Sequence, residues 1–354
     1  MPHPLGDRSP KRETAPFLLD EPPPMPDIGC NNTPHASPSE APQGGFSFSG
    51  VPFSKPAIDV PAQVALLGER GLLVPDPGAA ERFIRNVGYY RLSGYFRNFY
   101  ERQNGSEARF RADRTFDDVV ALYNFDRKIR ALLMRAFERI EVASKATLSD
   151  AGAQVGGPFW LCDPAHFDRG AHDEIMSLVI ESVGDSSDRN SPVFIQHFYG
   201  KYTDAWPPCW MVMEVMSFGK VSRVYRRAKG TIRQAVARQF NVQHNVLESW
   251  LHALAFGRNV CAHNGRVWNR RFTIKPQVPK MYRGEWAERD ADRLYVLCGI
   301  IRHLLAEIDP TSPWAHRLKL LIAERPTFVT LSGMGFPDGW EGDPRWSTPA
   351  PHTV

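Results

Sequence analysis

The sequence predicts an all-α protein whose main part is a helical bundle. Apolar residues recur at steps of three and four through most of the stretch from 53 to 331, which is the period of an α-helix. Strand-like alternation is limited to two short segments, 272–274 and 328–331. With 354 residues, 42% of them hydrophobic, the chain is long enough to bury a full core.

The two ends of the chain differ in composition from the middle. Residues 1–52 are crowded with Pro, Ser, Gly and Asn, so we expect a disordered tail that buries too little surface to offset its ordering entropy. Residues 332–354 are rich in Gly and Pro and predict a second, loose tail, in which Phe336, Trp340 and Trp346 are the side chains able to dock. The expected helical domain is therefore 53–331.

The order of the helices follows from the periodicity and from residues that begin or end helices. Pro61 suits a first turn, Gly71 suits a stop, and Asp76 and Thr115 are expected N-caps. The longest helix is expected from about Thr115 to the glycines at 156–157. Further helices are expected at 173–183, after 192, and at 210–216, 221–228, 232–240, 245–262, 289–307 and 314–324.

The composition argues against several classes of protein. The sequence has an odd number of cysteines, five, with no CxxC pair, which argues against a disulfide framework and against a zinc site. Metal ligands do not cluster along the sequence, so we expect no metal and no other cofactor. No signal peptide and no apolar run of ~18 residues is present, which favours a cytoplasmic protein without a membrane partner. The formal net charge of +4 is compatible with a polyanionic partner.

The stretch 256–271 carries the side chains best suited to chemistry. Asn259 and His263 are four residues apart and share one helix face, and the long side chain of Arg258 can reach the same side. Val260 and Cys261 point elsewhere, towards a core. One helix end is therefore expected to display a guanidinium, an amide and an imidazole together.

This trio suits the cleavage of RNA, which carries its own nucleophile, the 2′-hydroxyl, beside the scissile phosphate. An imidazole can accept or donate the proton near neutral pH, and a guanidinium offers fixed donors to phosphate oxygens. Asn259 is expected to orient the imidazole or to bind a phosphate oxygen, and no metal is required. The simpler alternative is that His263 only caps the helix C-terminus, where a cation suits the helix dipole.

Five blocks of the sequence resemble one family and occur in the same order as in it. Arg258–x4–His263 is similar to the signature of HEPN ribonucleases, and RNVCAHNGRVWNRR at 258–271 resembles a block of the Abi-like (AbiD/AbiF) family of bacterial abortive-infection proteins. The other blocks are GYYRLSGY at 88–95, YNFDRKIR at 123–130, ERIE at 138–141, and the spaced set Pro208, Trp210, Glu214, Ser217–Gly219 and Ser222. One departure is Asn264, where the family often has a second histidine.

The resemblance implies a helical HEPN-type core that forms a homodimer, in which two Arg-x4-His motifs face each other across one RNA groove. Two histidines would then divide the roles of base and acid. It also implies a bacterial defence or toxin role in which RNA cleavage during phage infection halts the host. A regulatory or guide RNA, or an antitoxin, is a conceivable further partner.

Charged residues around the motif permit two interpretations. Arg266, Arg270 and Arg271 follow His263 closely, and we expect them to contact RNA. An earlier group either holds a phosphate backbone or forms a solvated helix face: Arg223, Arg226, Arg227, Lys229, Arg233 and Arg238. On the longest helix, opposite charges three or four residues apart indicate ion pairs: Asp126, Arg127, Arg130, Glu138 and Glu141.

The main hypothesis is a metal-independent endoribonuclease that cleaves single-stranded RNA to 2′,3′-cyclic phosphate ends, with Arg258, Asn259 and His263 as its catalytic residues. The alternative is a non-catalytic RNA- or protein-binding module that regulates a toxin–antitoxin pair. A DNA-binding repressor is a third option, because the short helices between 58 and 87 have helix-turn-helix lengths, but no basic recognition helix follows them.

Overall fold

The computed structural model describes residues 56–101, 109–184, 191–286 and 290–346. The tail expected at 1–52 lies outside these residues. Within them the all-α class is confirmed, because twelve α-helices are joined by turns and short 3-10 segments, and β-pairing is limited to isolated bridges. The segments 272–274 and 328–331, considered as strands, are irregular. The chain divides into two compact units, Met1–Val120 and Ala121–Val354.

The helices agree with those expected to within a few residues at most ends. The first unit contains α1 (Val60–Glu69), α2 (Pro77–Val87) and α3 (Tyr89–Phe96), and α4 (Phe116–Gly156) begins there and continues into the second unit. The second unit also contains α5 (His172–Val183), α6 (Val193–Lys201), α7 (Cys209–Val215), α8 (Phe218–Arg227), α9 (Gly230–Gln239), α10 (His244–Ala262), α11 (Leu294–Ile308) and α12 (Trp314–Ala323).

Side-chain caps fix two helix starts in the first unit. The carboxylate of Asp76 accepts a hydrogen bond from the backbone N–H of Ala79 at 2.9 Å and begins α2. At the start of α4, the Thr115 hydroxyl accepts from the N–H of Asp118, while the Asp118 carboxylate accepts from the N–H of Thr115. Both expected caps are confirmed, and the second is a reciprocal capping box that satisfies two otherwise unpaired donors.

Helix α10 is the central element of the second unit. It packs on α8, α9 and α11, and it buries Trp250, Leu251 and Leu254 almost completely. At Gly257 the neighbouring helices come so close that an added Cβ would lie 3.2 Å from both Phe137 of α4 and Leu297 of α11. This close approach fixes the position of the C-terminal part of α10 relative to α4 and α11.

The segment 332–346, for which the sequence suggested a loose tail with aromatic residues able to dock, is packed in the structure. Trp340 and Trp346 are buried and their rings meet edge to face at 5.1 Å. The indole N–H of Trp346 donates to the hydroxyl of Tyr295, and Arg345 pairs with Glu285 at 2.8 Å. The aromatic residues therefore supply the burial that the Gly- and Pro-rich backbone lacks. Residues 347–354 are outside the described part.

Within the described ranges, none of the helices combines the length and the apolar character that crossing a membrane requires. The longest, α4, has 41 residues but carries charged side chains along much of its length.

The packing of α4 generates a prediction for a glycine. A Cβ at Gly152 would lie 2.1 Å from the buried ring of Trp160, whereas a Cβ at Gly200 in α6 would meet nothing within 4 Å. Gly152→Ala should therefore destabilise the protein by about 1–3 kcal/mol through overpacking. Gly200→Ala should stabilise it by roughly 0.5–1 kcal/mol, because alanine is the better helix former.

Urea unfolding of both variants beside the wild type measures the two changes in the free energy of unfolding. Equal effects of the two substitutions would contradict the described contact between α4 and Trp160.

Candidate active site

The C-terminal end of α10 is closed by a Schellman motif. His263 is the C-cap residue, and the N–H groups of Asn264 and Gly265 donate to the carbonyls of Cys261 and Val260 at 3.0 and 2.7 Å. Asn264 adopts the left-handed conformation with φ of 57°. A Cβ at Gly265 would lie 3.0 Å from the Val260 carbonyl oxygen, so a side chain there would disturb the turn. The motif ends the helix immediately after His263.

The left-handed backbone accounts for the residue type found at 264. Asn and His are both enriched several-fold in this conformation relative to most other residues with a Cβ. Asn264 therefore meets the conformational requirement of the turn, although the family that this sequence resembles often has histidine there.

Arg258 and Asn259 lie side by side just below this end. The Arg258 guanidinium donates to the Asn259 side-chain oxygen at 3.2 Å, and its Nε lies 3.6 Å from a carboxylate oxygen of Glu141 on α4. Lys145 approaches the other Glu141 oxygen at 3.3 Å. Two cations thus share one carboxylate, which holds the guanidinium in place and leaves the group with net positive charge.

The second terminal nitrogen of Arg258, Nη2, has no partner among the described residues. The Arg258 side chain is 32% exposed, whereas that of Glu141 is 14% exposed. The guanidinium is therefore held on its inner side and retains donors on its outer side, which is the geometry required for binding an anion from solvent.

His263 is exposed at the end of the helix. Its backbone N–H donates to the Asn259 carbonyl at 3.0 Å, and its imidazole makes no hydrogen bond or ion pair within the described part of the chain. The four-residue spacing from Asn259 corresponds to a rise of about 6 Å along the helix. Arg258 and Asn259 are therefore in contact within the last turns of α10, and His263 follows at the C-cap, where its imidazole has access to solvent.

Cys261, in the middle of the motif, points the other way. It is 5% exposed, and burial raises the pKa of its thiol to about 12, with the Asp126 charge adding to the effect. A thiol with that pKa is protonated at neutral pH, so Cys261 packs the core and does not supply a nucleophile.

The three arginines expected to contact RNA have different surroundings. Arg266 lies beside the Trp268 ring, with its guanidinium carbon 5.9 Å from the ring centroid. Arg270 folds back towards the Arg266 carbonyl at 3.5 Å, and burial lowers the pKa of its guanidinium. Arg271 is exposed but pairs with both carboxylate oxygens of Asp292, at 2.8 and 3.0 Å. The three side chains therefore differ in their partners and in their burial.

The loop that carries these arginines is anchored from below by α4. One carboxylate oxygen of Asp126 accepts hydrogen bonds from the backbone N–H groups of Val267 and Trp268, at 3.0 and 2.6 Å. The other oxygen pairs with Arg130, whose guanidinium also lies 3.5 Å from the Gly265 carbonyl. The ion pair expected from sequence is present, but its contact with the motif loop was not visible in the sequence.

The earlier basic group is largely occupied by acidic partners. Glu174 on α5 contacts Arg223 at 2.9 Å and Arg227 at 2.7 Å, with Arg226 at 3.8 Å. Burial alone would raise the pKa of the Glu174 carboxyl, but the hydrogen bonds from Arg223 and Arg227 outweigh it and the pKa is lowered. Ion pairing between α5 and α8 therefore explains these arginines without nucleic acid.

Glu141 and Asp126 lie at the site, but they were not predicted from the sequence to belong to it. Both lie in blocks quoted above, and the available signal was the i, i+4 spacing of opposite charges on the longest helix. Among the described residues, no group of three or more His, Cys, Asp or Glu side chains is placed to hold a metal ion.

The comparison with protein families bears on this arrangement directly. The model of the family described as Abi-like protein matches residues 82–269, which is more than half of the chain. The chain belongs to the Abi-like family. The match includes the Arg258–His263 motif and the α4 residues beneath it, and membership associates the protein with abortive infection, a form of phage defence. No curated protein and no solved structure matches the chain.

The turn after His263 generates a prediction for this Abi-like protein. Asn264→Gly and Asn264→Ala both remove the side chain, but only alanine is strained at a φ of 57°. The glycine variant should therefore have a free energy of unfolding about 1 kcal/mol higher than the alanine variant. Unfolding by guanidinium chloride measures the difference.

Ala262 provides the reverse control because it is the last residue of α10 and exposed. There, Ala262→Gly should lower stability relative to the wild-type alanine. An alanine at 264 as stable as glycine would contradict the left-handed turn.

Proposed function

We propose that this Abi-like protein is a metal-independent endoribonuclease that acts in phage defence by abortive infection. The carrying observation is the group at the end of α10, where a guanidinium held by Glu141 lies beside an amide, and an exposed imidazole follows one turn later at the C-cap. In the proposed reaction the 2′-oxygen attacks the adjacent phosphorus and the bond to the 5′-oxygen breaks. The products are a 2′,3′-cyclic phosphate and a free 5′-hydroxyl.

His263 is the proposed general acid or base. Its exposed imidazole can take the proton of the 2′-hydroxyl or give one to the departing 5′-oxygen, and an imidazole suits both roles near neutral pH. The 2′-hydroxyl must swing into line with the leaving oxygen, which a regular duplex resists, so single-stranded RNA is the proposed substrate.

Arg258 is the proposed stabiliser of the charge that develops on the phosphorane. Glu141 and the Asn259 side chain hold its inner side, so the guanidinium is oriented before RNA binds. Preorganised donors of this kind stabilise a transition state without reorganising during the reaction. The role of Asn259 follows from the same contact: it orients Arg258.

Of the three arginines after the motif, Arg266 is the nearest to His263 in the sequence. It is partly exposed, and its guanidinium carbon lies 5.9 Å from the centroid of the Trp268 ring. Arg271 is already paired with Asp292, so its guanidinium would have to bind RNA while it keeps that ion pair. Arg270 would have to bind RNA from a half-buried position. We therefore rank Arg266 first among the RNA contacts.

The spacing Arg258–x4–His263 supports a HEPN-type assignment and, with it, a homodimer whose two motifs face one RNA groove. A single chain presents one imidazole at the site, whereas the reaction needs both a base and an acid. A second copy would supply the other histidine.

The proposal predicts that His263→Ala lowers the rate of cleavage of a labelled single-stranded RNA by about 100-fold or more, measured in EDTA with analysis of the product ends. The matched control is His316→Ala, which removes an exposed histidine from α12 and should leave the rate unchanged.

Equal cleavage of DNA, an absolute requirement for magnesium, or undiminished cleavage by His263→Ala would each contradict this mechanism. If the wild type binds RNA but does not cut it, with or without a phage-infected extract, the non-catalytic binding module is the better account.

A further inference from the structure

A buried ion pair lies directly beneath the loop that follows His263. Asp126 and Arg130 are one turn apart on α4, with exposed fractions of 0% and 5%. Removing two charges from water carries a large desolvation penalty, and an apolar pair of similar volume often stabilises a protein equally well or better. Stability alone therefore gives a poor account of charged residues at these two positions.

The contacts of the pair are directed at the loop backbone. Asp126 binds the N–H groups of Val267 and Trp268 with one oxygen and Arg130 with the other. Arg130 also reaches the Gly265 carbonyl. The loop is thus held at three points, Gly265, Val267 and Trp268, all within five residues of His263.

His263 lies between this anchored loop and the end of α10. On one side its N–H is bonded to the Asn259 carbonyl, and on the other the chain turns sharply through Asn264 and Gly265. Helix ends fray, and the two hydrogen bonds of the Schellman motif hold only the turn itself and not the chain beyond it. An anchor beyond the turn removes that freedom.

We propose that Asp126 and Arg130 are positioning residues, which hold the loop after His263 and thereby fix the imidazole relative to Arg258. The kinetic consequence rests on the proposed ribonuclease function, whereas the structural consequence does not. Neither residue touches the reacting atoms in this account; both act through the backbone of residues 265–268.

The test uses the full chain and the double variant Asp126→Leu/Arg130→Met, which removes the anchor without leaving an unpaired buried charge. Its matched control is Glu285→Leu/Arg345→Met, because Glu285 is 2% exposed and its pair with Arg345 touches none of residues 258–268. Asp126→Asn is the conservative variant, since its side-chain oxygen can still accept from the two loop N–H groups. Thermal unfolding identifies the variants that fold.

The first readout is hydrogen–deuterium exchange without RNA. The double variant should accelerate exchange of the peptide covering 263–269 by roughly 10-fold or more, the control should not, and Asp126→Asn should fall in between. Should the double variant fail to fold, the same comparison between Asp126→Asn and Glu285→Gln decides. Unchanged exchange in a folded variant overturns the proposal, whether or not the protein cuts RNA.

The second readout is steady-state RNA cleavage. The double variant should lower kcat by about 10- to 100-fold, as expected for a misplaced catalytic group, with little change in KM. Asp126→Asn should recover part of the rate. If the double variant exchanges faster but keeps the kcat of the wild type, the positioning role is overturned. If the wild type cuts no RNA, the proposed function is refuted, and the exchange result alone then tests whether Asp126 and Arg130 hold the loop.

Discussion

The approach of three helices at Gly257 is the constraint on which the candidate site depends. A Cβ at this position would lie 3.2 Å from both Phe137 of α4 and Leu297 of α11, so a larger residue would have to push these side chains aside by a few tenths of an ångström. The next residue, Arg258, consequently stands beside the α4 residue Glu141, one turn beyond Phe137. The tight core contact and the polar contact are adjacent along the same two helices, so packing sets the position of the guanidinium.

Much of the fold could be predicted from the sequence because its signals are local. The period of apolar residues gave the helices of both units, and Asp76 and Thr115 marked helix starts through bonds to residues three positions away. The two short segments with strand-like alternation, 272–274 and 328–331, are irregular in the structure. Phe272 is buried, and its N–H donates to the Asp292 carbonyl in a loop. Its apolar side chain therefore packs in the core, although its backbone does not pair with another strand.

The parts of the site that sequence could not supply are contacts between distant residues. Asp126 and Val267 are 141 positions apart, and no periodicity relates them. The spacing of Asp126 and Arg130 predicts an ion pair equally well on a surface and in a core. Similarly, the position of Arg271 soon after His263 suggested a contact with RNA, whereas its ion pair with Asp292 is visible only in the fold. The position of Arg258, Asn259 and His263 near one helix end was predictable because the three residues lie within two turns of one helix.

The resulting site combines an ordered guanidinium with an exposed imidazole, and the account assigns them to phosphate and to proton transfer. The most direct test is a structure of the full chain with a single-stranded RNA whose 2′-hydroxyls are methylated, so that it binds without being cut. The proposed mechanism predicts a phosphate oxygen at hydrogen-bond distance, about 2.7–2.9 Å, from an Arg258 terminal nitrogen. It also predicts a His263 ring nitrogen within about 3.2 Å of the adjacent 2′- or 5′-oxygen. RNA bound elsewhere on the protein, with no phosphate at Arg258, would contradict it.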